Sequence, residues 1–404
     1  MYDVSNIRKD FPIFSEKING KKNTYLDTAA SAQKPQCVID KMCEIYKKAY
    51  ANVHRGDYAL SQSATSEFEN ARRVLQNFVG AKDVREIVFT RNATESINLV
   101  AASWGQKNLK TGDEILISEA EHHANLIPWQ IAAEKTGAVL KIFKLKDNGD
   151  FVPEEFEKCL SGRVKLVSMT GMSNVLGTIY PIKEIISAAH KKGAVVLIDA
   201  CQLAAHKQID VQSLDCDFLA FSGHKLYGPT GIGVLYGKTE ILKDMPPYQT
   251  GGDMVDRVTY QKTTFAEPPA RFEAGTPAFV EAAGLASAVE YVLKLGFENI
   301  EQHEQNLVDY FSAHAKHTKG FKLLSQSGNQ GGIFAFELNG VHPQDLAFVL
   351  AHEGVSIRVG HHCAEPFVNR LGYTSLARAS IGLYSSVEDI DAFFKALEKV
   401  RRFF

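Results

Sequence analysis

The feature that most constrains this chain is a series of short β-branched runs separated by stretches with helical periodicity. EIVFT (86–90), EILIS (114–118), KLVSMT (165–170), AVVLIDA (194–200) and FLAFS (218–222) read as buried parallel strands. Between them lie ESINLVAASWG, LIPWQIAAEKTG and PIKEIISAAHKKG, and the last two stop at Gly, which suits a helix end. Strands alternating with helices predict βαβ units, an α/β fold and a mostly parallel sheet. GIGVLYGK (231–238) reads as a further strand.

From about Thr276 the texture changes. PAFVEAAGLASAVEYVLKLG is a long amphipathic helix, and GIFAFEL (332–338), VSIRVG (355–360) and the helix VEDIDAFFKALEKVRRFF follow. That is an α+β pattern and predicts a smaller second domain. A length of 404 residues is consistent with two or three folding units.

Lys and Arg total 45 against 47 Asp and Glu, so no basic excess points to nucleic acid. No window of 18 apolar residues predicts a membrane span, and MYDVSNIRKDFP does not read as a signal peptide. Six cysteines, without a C-x-x-C pair or disulfide-like spacing, suit a reduced, cytoplasmic chain. Two phosphate motifs fail. Ile232 stands where a P-loop ending in Gly237-Lys238-Thr239 needs Gly, and Tyr236 where a dinucleotide fingerprint needs Gly.

Ser222-Gly223-His224-Lys225 directly follows a strand-like run. A lysine there can form a Schiff base with pyridoxal 5′-phosphate (PLP) and shuttle a proton, or simply be surface charge. Asp199 ends VVLID, 26 residues earlier, at the edge that faces the ligand crevice of a parallel sheet. A carboxylate there can pair with a pyridinium nitrogen, cap the next helix, or do both. In TRNATESINLVA, Asn92 with Glu95 fits a capping box, and the N–H groups of Ala93 and Thr94 would form an anion site. His122 and His123 follow EILIS; such a pair can stack on a ring, bind metal or be plain loop polarity. In RVGHHCAEP, Arg358, His361 and His362 crowd Cys363, and nearby positive groups favour the nucleophilic thiolate; half of a metal site is the other reading.

Taken in order, YLDTAASAQKP, HRG (54–56), EHHAN, SNVLGT (173–178), DFLAFSGHKLYGPTGIG, RFEAGTP (271–277) and RVGHHCAEP resemble the cysteine desulfurases of the PLP-dependent aminotransferase class V family, Suf-type branch. The resemblance covers nearly the whole chain. It implies a type I PLP-dependent transferase fold and a homodimer. An N-terminal segment (1–20) would pack with the small domain, a large PLP-binding domain would span 21–275, and a linking helix with a small C-terminal domain carrying the Cys loop would span 276–404. Lys225 would hold PLP, Asp199 the pyridine nitrogen and Gln202 the ring hydroxyl, with His122 stacked on the ring. Thr94, Ala93, Ser222 and His224 would hold the phosphate, with Thr276 of the second subunit. Asn174 and Arg378 would grip the substrate carboxylate, and Arg358, His54, Ala29 and His361 would complete the substrate site; no metal is expected.

The implied reaction converts L-cysteine to L-alanine, leaving a persulfide on Cys363 for an acceptor protein of the SufE or SufU type and for iron–sulfur cluster assembly. Selenocysteine lyase and cysteine-sulfinate desulfinase are the alternatives, and an inactive scaffold of the same fold is the remote one. The short Cys loop implies a less exposed thiol. Cys201, Gly171-Met172 and Glu365 depart from the family pattern.

Overall fold

The computed structural model describes residues 2–403. Its large sheet has seven strands: β1 (Ile87–Thr90), β2 (Glu114–Ser118), β3 (Val139–Phe143), β4 (Val164–Thr170), β5 (Val195–Asp199), β6 (Phe218–Ser222) and β7 (Gly233–Gly237). Their order is β1-β7-β6-β5-β4-β2-β3. Only β7 runs antiparallel to its neighbours, so Thr90, Ser118, Thr170, Asp199 and Ser222 all end at one edge. Alternate residues of β5 enter different cores: Val196 and Ile198 pack with Ile185 and Val289, Leu197 with Ile97 and Trp129. Both faces are therefore covered, as β-branched runs without a polar side require.

The helices that supply those covers are α1 (Ala59–Val79), α2 (Ala93–Val100), α3 (Ile127–Thr136), α4 (Ile182–His190) and α5 (Phe279–Leu295). Helix α5 packs along α1. It leads through Gly296 into α6 (Phe297–His317). A second, antiparallel sheet follows, formed by β8 (Phe321–Leu323), β9 (Ile333–Leu338), β10 (Arg358–Gly360) and β11 (Leu376–Ser380) in the order β8-β9-β11-β10. Phe311 of α6 stacks on Phe334 with ring centroids 3.9 Å apart, and Phe393 and Phe394 of α8 (Val387–Val400) close the same core. The short helix α7 (Glu365–Arg370) stands between β10 and β11.

The N-terminal residues reach across to the elements around this second sheet, the helix α8 and the short strand Val355–Ser356. Arg8 donates to Asp389 at 2.7 Å, and Thr24–Tyr25 pairs in parallel with Val355–Ser356.

Three local readings differ from expectation. Strand β3 carries polar Lys141 and is only partly buried at the sheet edge, so it lacks the apolar signature of its neighbours. VSIRVG is not one strand; it breaks at Ile357 because its two halves pair with different partners, Thr24–Tyr25 and β11. ESINLVAASWG opens as α2 but widens into a π turn over Ala101–Gly105.

Gly233 opens β7 between Thr90 and Ser222, at the strand edge where the site lies. A Cβ there would meet the Asn92 backbone at 2.5 Å, and backbone yields less readily than a flexible side chain. Gly233→Ala is expected to cost about 1–3 kcal/mol through overpacking, measured as a lower urea midpoint; an unchanged midpoint would show that the turn relaxes freely.

Candidate active site

A cavity of about 330 Å³ opens at the shared strand edge, between the large sheet and the second one. Lys225 reaches it from the turn Gly223–Lys225 that ends β6. Its Nζ makes no hydrogen bond or ion pair among the described residues, so the amine is free to react. Asp199 closes β5 beneath the same space. Its Oδ1 accepts the N–H of Cys201 at 2.9 Å in a local turn, which leaves Oδ2 for a ligand; the helix-cap reading fails, because the next helical turn, Leu203–Ala205, starts from Gln202 without a side-chain cap. Gln202 donates through Nε2 to the carbonyl of Ala29 at 2.8 Å. His122 accepts the N–H of Ala124 on Nδ1 at 3.0 Å. Burial, and then Lys225 nearby, hold its ring below the ordinary imidazole range, so it stays neutral with Nε2 protonated.

The other end of the cavity suits a phosphate. Ser222 Oγ accepts the N–H of Ala93 at 2.9 Å and the thiol of Cys201 at 3.9 Å. Both lone pairs are then engaged, and the Ser222 proton is left to donate to an anion. Thr94 and His224 line the same end. Burial, then Lys225, push His224 down to about 4. Two expectations change here. The Ala93 N–H is not open to a ligand; it is buried and used in orienting Ser222. The capping box is shifted: Asn92 accepts the N–H of Glu95, but the Glu95 carboxylate returns to Arg91 N at 2.6 Å rather than to Asn92. Cys201 keeps its proton, because burial and then Asp199 raise its thiol.

Opposite the lysine is a buried guanidinium. Arg378 on β11 is 3% exposed. It donates to the carbonyl of Asn174 at 2.7 Å and lies 3.5 Å from Asp27. Its Nε has no partner among the described residues. Burial lowers its pKa to about 10, which leaves it cationic at neutral pH. A buried donor without an acceptor is costly unless a ligand supplies one, and a carboxylate fits. Asp27 also holds Arg358 at 2.8 Å. Sequence reasoning quoted the segment holding Asp27 without giving it a role, since both partners are more than 300 residues away.

Cys363 sits at the mouth of this cavity, exposed. The loop tip turns His362 inward and leaves the thiol outside, contrary to the less exposed thiol expected of a short loop. His362 and Cys363 are both left-handed, with φ of 54° and 55°. For residues other than glycine that costs about 1–3 kcal/mol each and persists only where neighbours enforce it. Asn174 Nδ2 donates to His362 O at 2.7 Å, the N–H of His123 to Cys363 O at 2.6 Å, and Ala364 N to His361 O at 2.9 Å. The expected cationic crowd around Cys363 is thinner than the sequence implies. Burial and then Arg378 push His362 to about 3, so it is neutral. His361 contributes a backbone carbonyl and does not line the cavity. Arg358 is near but committed to Asp27.

Two further candidates stand apart. Thr276 lines a different cleft, with Arg91 and Gln249. His54 pairs with Glu69 at 3.1 Å in another opening beside Gly275 and Pro277. Neither lines the cavity that holds Lys225. Among the described residues no three of His, Cys, Asp and Glu gather as metal ligands.

A strand-end carboxylate, a free lysine one strand over and an anion seat lined by Ser222, Thr94 and His224 are the parts a type I PLP-dependent enzyme needs, and the mostly parallel sheet is the frame that carries them. The chain belongs to the aminotransferase class-V family, whose family model matches residues 24–393. It is 46% identical to a cysteine desulfurase of Dickeya dadantii, over 99% of this chain and 97% of that one. It is 44% identical to one from Synechococcus elongatus, of whose length it spans 64%. The structure is similar to the apo cysteine desulfurase of Thermococcus onnurineus, with a TM-score of 0.94 and 37% identity, covering 99% of this chain and 98% of that one.

Two outcomes test this electrostatic account. Asp27→Ala leaves Arg378 buried without its carboxylate and is expected to cost about 3 kcal/mol, read from urea unfolding. His362, ordinarily near 6.5 and here about 3, binds its proton more readily in the unfolded chain. Its contribution is complete above about pH 6.5 and is lost as pH falls toward 3. Across that window His362→Asn is expected to flatten the pH dependence of the unfolding free energy, obtained from urea melts, by up to about 1.4 kcal/mol per pH unit.

Proposed function

We infer that this chain is a PLP-dependent cysteine desulfurase that takes sulfur from L-cysteine and passes it to a sulfur acceptor. The observation that carries the reading is Cys363 at the mouth of the cavity that also holds Lys225 and the partnerless Arg378 Nε. A lysine and a carboxylate clamp alone would equally suit amino-group transfer; the third element, a thiol over the cavity, singles out chemistry at the substrate's sulfur.

The residues present fit PLP. Lys225 Nζ would bind it covalently, Asp199 Oδ2 would take the ring nitrogen and Gln202 the ring hydroxyl. His122 would cover one face, and Ser222, Thr94 and His224 would take the phosphate. When bound, PLP supplies an electron sink for charge developing at the substrate Cα. Arg378 and Asn174 hold the substrate carboxylate, a guanidinium fork being suited to that task. Lys225 Nζ, displaced by the substrate amine, removes the Cα proton. The Cys363 thiolate attacks the substrate sulfur and an S–S bond forms as the C–S bond breaks; its electron pair stays with the carbon fragment, which takes a proton at Cβ, regains from Lys225 the proton removed at Cα, and leaves as alanine. A thiolate on the acceptor then takes the outer sulfur of the Cys363 persulfide.

The Suf-type branch is the reading for this chain, with an acceptor of the SufE or SufU type, a role in iron–sulfur cluster assembly and a cytoplasmic setting. No helix of the described residues is long and apolar enough to cross a membrane. A homodimer would account for Thr276 and His54, which line other openings than the Lys225 cavity and would serve a second copy's. The reading of an N-terminal segment (1–20), a large domain (21–275), and a linking helix with a small domain (276–404) draws support from the separate core around Phe311, Phe334 and Phe393 and from the Arg8–Asp389 contact; the linking helix α5 and the N-terminal Ile7 and Phe11 pack into the core of the large sheet.

Cys363→Ser is expected to keep the yellow colour and bind cysteine yet release neither alanine nor sulfide under reductant. Lys225→Ala is expected to lose the lysine-linked absorbance. Alanine formation unaffected by Cys363→Ser would overturn the sulfur-attack reading. Alanine release from cysteine, selenocysteine and cysteine sulfinate, compared side by side, separates desulfurase from the two alternative activities.

A further inference from the structure

His123 is the member of the His122–His123 pair that the reaction leaves without a role. It follows β2 in the large domain, yet it makes two bonds to the nucleophile loop of the other domain. Its backbone N–H donates to Cys363 O at 2.6 Å, and its ring Nε2 accepts the N–H of Glu365 at 3.1 Å. These two bonds bracket Ala364, whose residue is buried. They begin directly after the left-handed pair His362–Cys363 and end at the first residue of α7. The far end of α7 is fastened to the same side: Arg370 pairs with Asp147 and Glu119 and donates to the Leu145 carbonyl at 3.0 Å.

We propose that His123 is a positioning residue for the nucleophile, its ring holding the Cys363 loop in its left-handed form against the large domain. The proposal rests on the reading of Cys363 as the sulfur nucleophile. A strained pair relaxes when its restraints are removed. The backbone bond from residue 123 survives any substitution there, but the ring bond does not. The ring does not line the cavity, so cofactor and carboxylate binding are left intact. The bond requires an acceptor at Nε2, hence a neutral ring with its proton on Nδ1. Gln reaches about as far and offers an acceptor; Leu has similar bulk and offers none.

The test compares wild type, His123→Leu, His123→Gln and Cys363→Ala, all as PLP-loaded enzyme with L-cysteine. For His123→Leu the expected result is unchanged cofactor absorbance, a KM within about threefold, and kcat lower by roughly 10- to 100-fold, the loss typical of a misplaced reacting group. Hydrogen exchange in the peptide spanning 358–370 should speed up in His123→Leu, and His123→Gln should restore both exchange protection and kcat. If His123→Leu keeps wild-type kcat and wild-type protection while Cys363→Ala is inactive, the positioning role is wrong and the nucleophile stands. If Cys363→Ala itself turns over, the nucleophile reading has failed whatever His123 does. Loss of the cofactor absorbance in both His123 variants would place His123 in the cofactor site and overturn the proposal as well.

Discussion

A guanidinium buried to 3% exposure must be surrounded by acceptors, and the packing around Arg378 follows from that need. Asp27 comes from the turn after the N-terminal strand, the Asn174 carbonyl from the loop after β4, and Arg378 itself from β11. One charge thus draws together three segments far apart in sequence. Asp27 also carries Arg358, so two cations lean on one carboxylate and the local balance stays positive. The remaining Nε–H points to an anion that the fold does not itself provide.

Around that charge the two domains divide the chemistry. On the proposed reading, the large sheet's edge would provide the lysine, the carboxylate for the ring nitrogen and the phosphate seat, all from or just after strand ends that parallel pairing brings level. The second sheet and its loop would provide the carboxylate clamp, Arg378, and the thiol, Cys363. Neither half holds a working site alone, and the contacts between them, from Asn174 and His123 to the Cys363 loop and from Arg370 to Glu119, lie within a few residues of the reacting groups.

The strands that bury both faces were legible because an apolar run needs no partner to reveal it. Strand β3 was not, since an edge position tolerates Lys141 and erases the signal. Lys225, Asp199 and Cys363 were legible as residue types at strand ends and in a loop. What sequence could not give was sign and direction. His362 looked like a positive neighbour of Cys363, but burial makes it neutral. His361 looked equally close and contributes only a carbonyl. Asp27 and His123 act through contacts more than 200 residues away, and no local spacing encodes such a contact.

The exposed placement of Cys363 has a consequence for traffic. If Cys363 is the sulfur acceptor, as proposed, sulfur taken from a molecule inside the cavity would end on an exposed residue at its mouth. Loading and unloading therefore need not share a path: alanine can leave past the loop while the cargo waits on the rim. The same openness gives any small thiol in solution access to the cargo, so fidelity of delivery depends on how quickly the intended carrier arrives and how fully it covers the rim, rather than on a door within the enzyme.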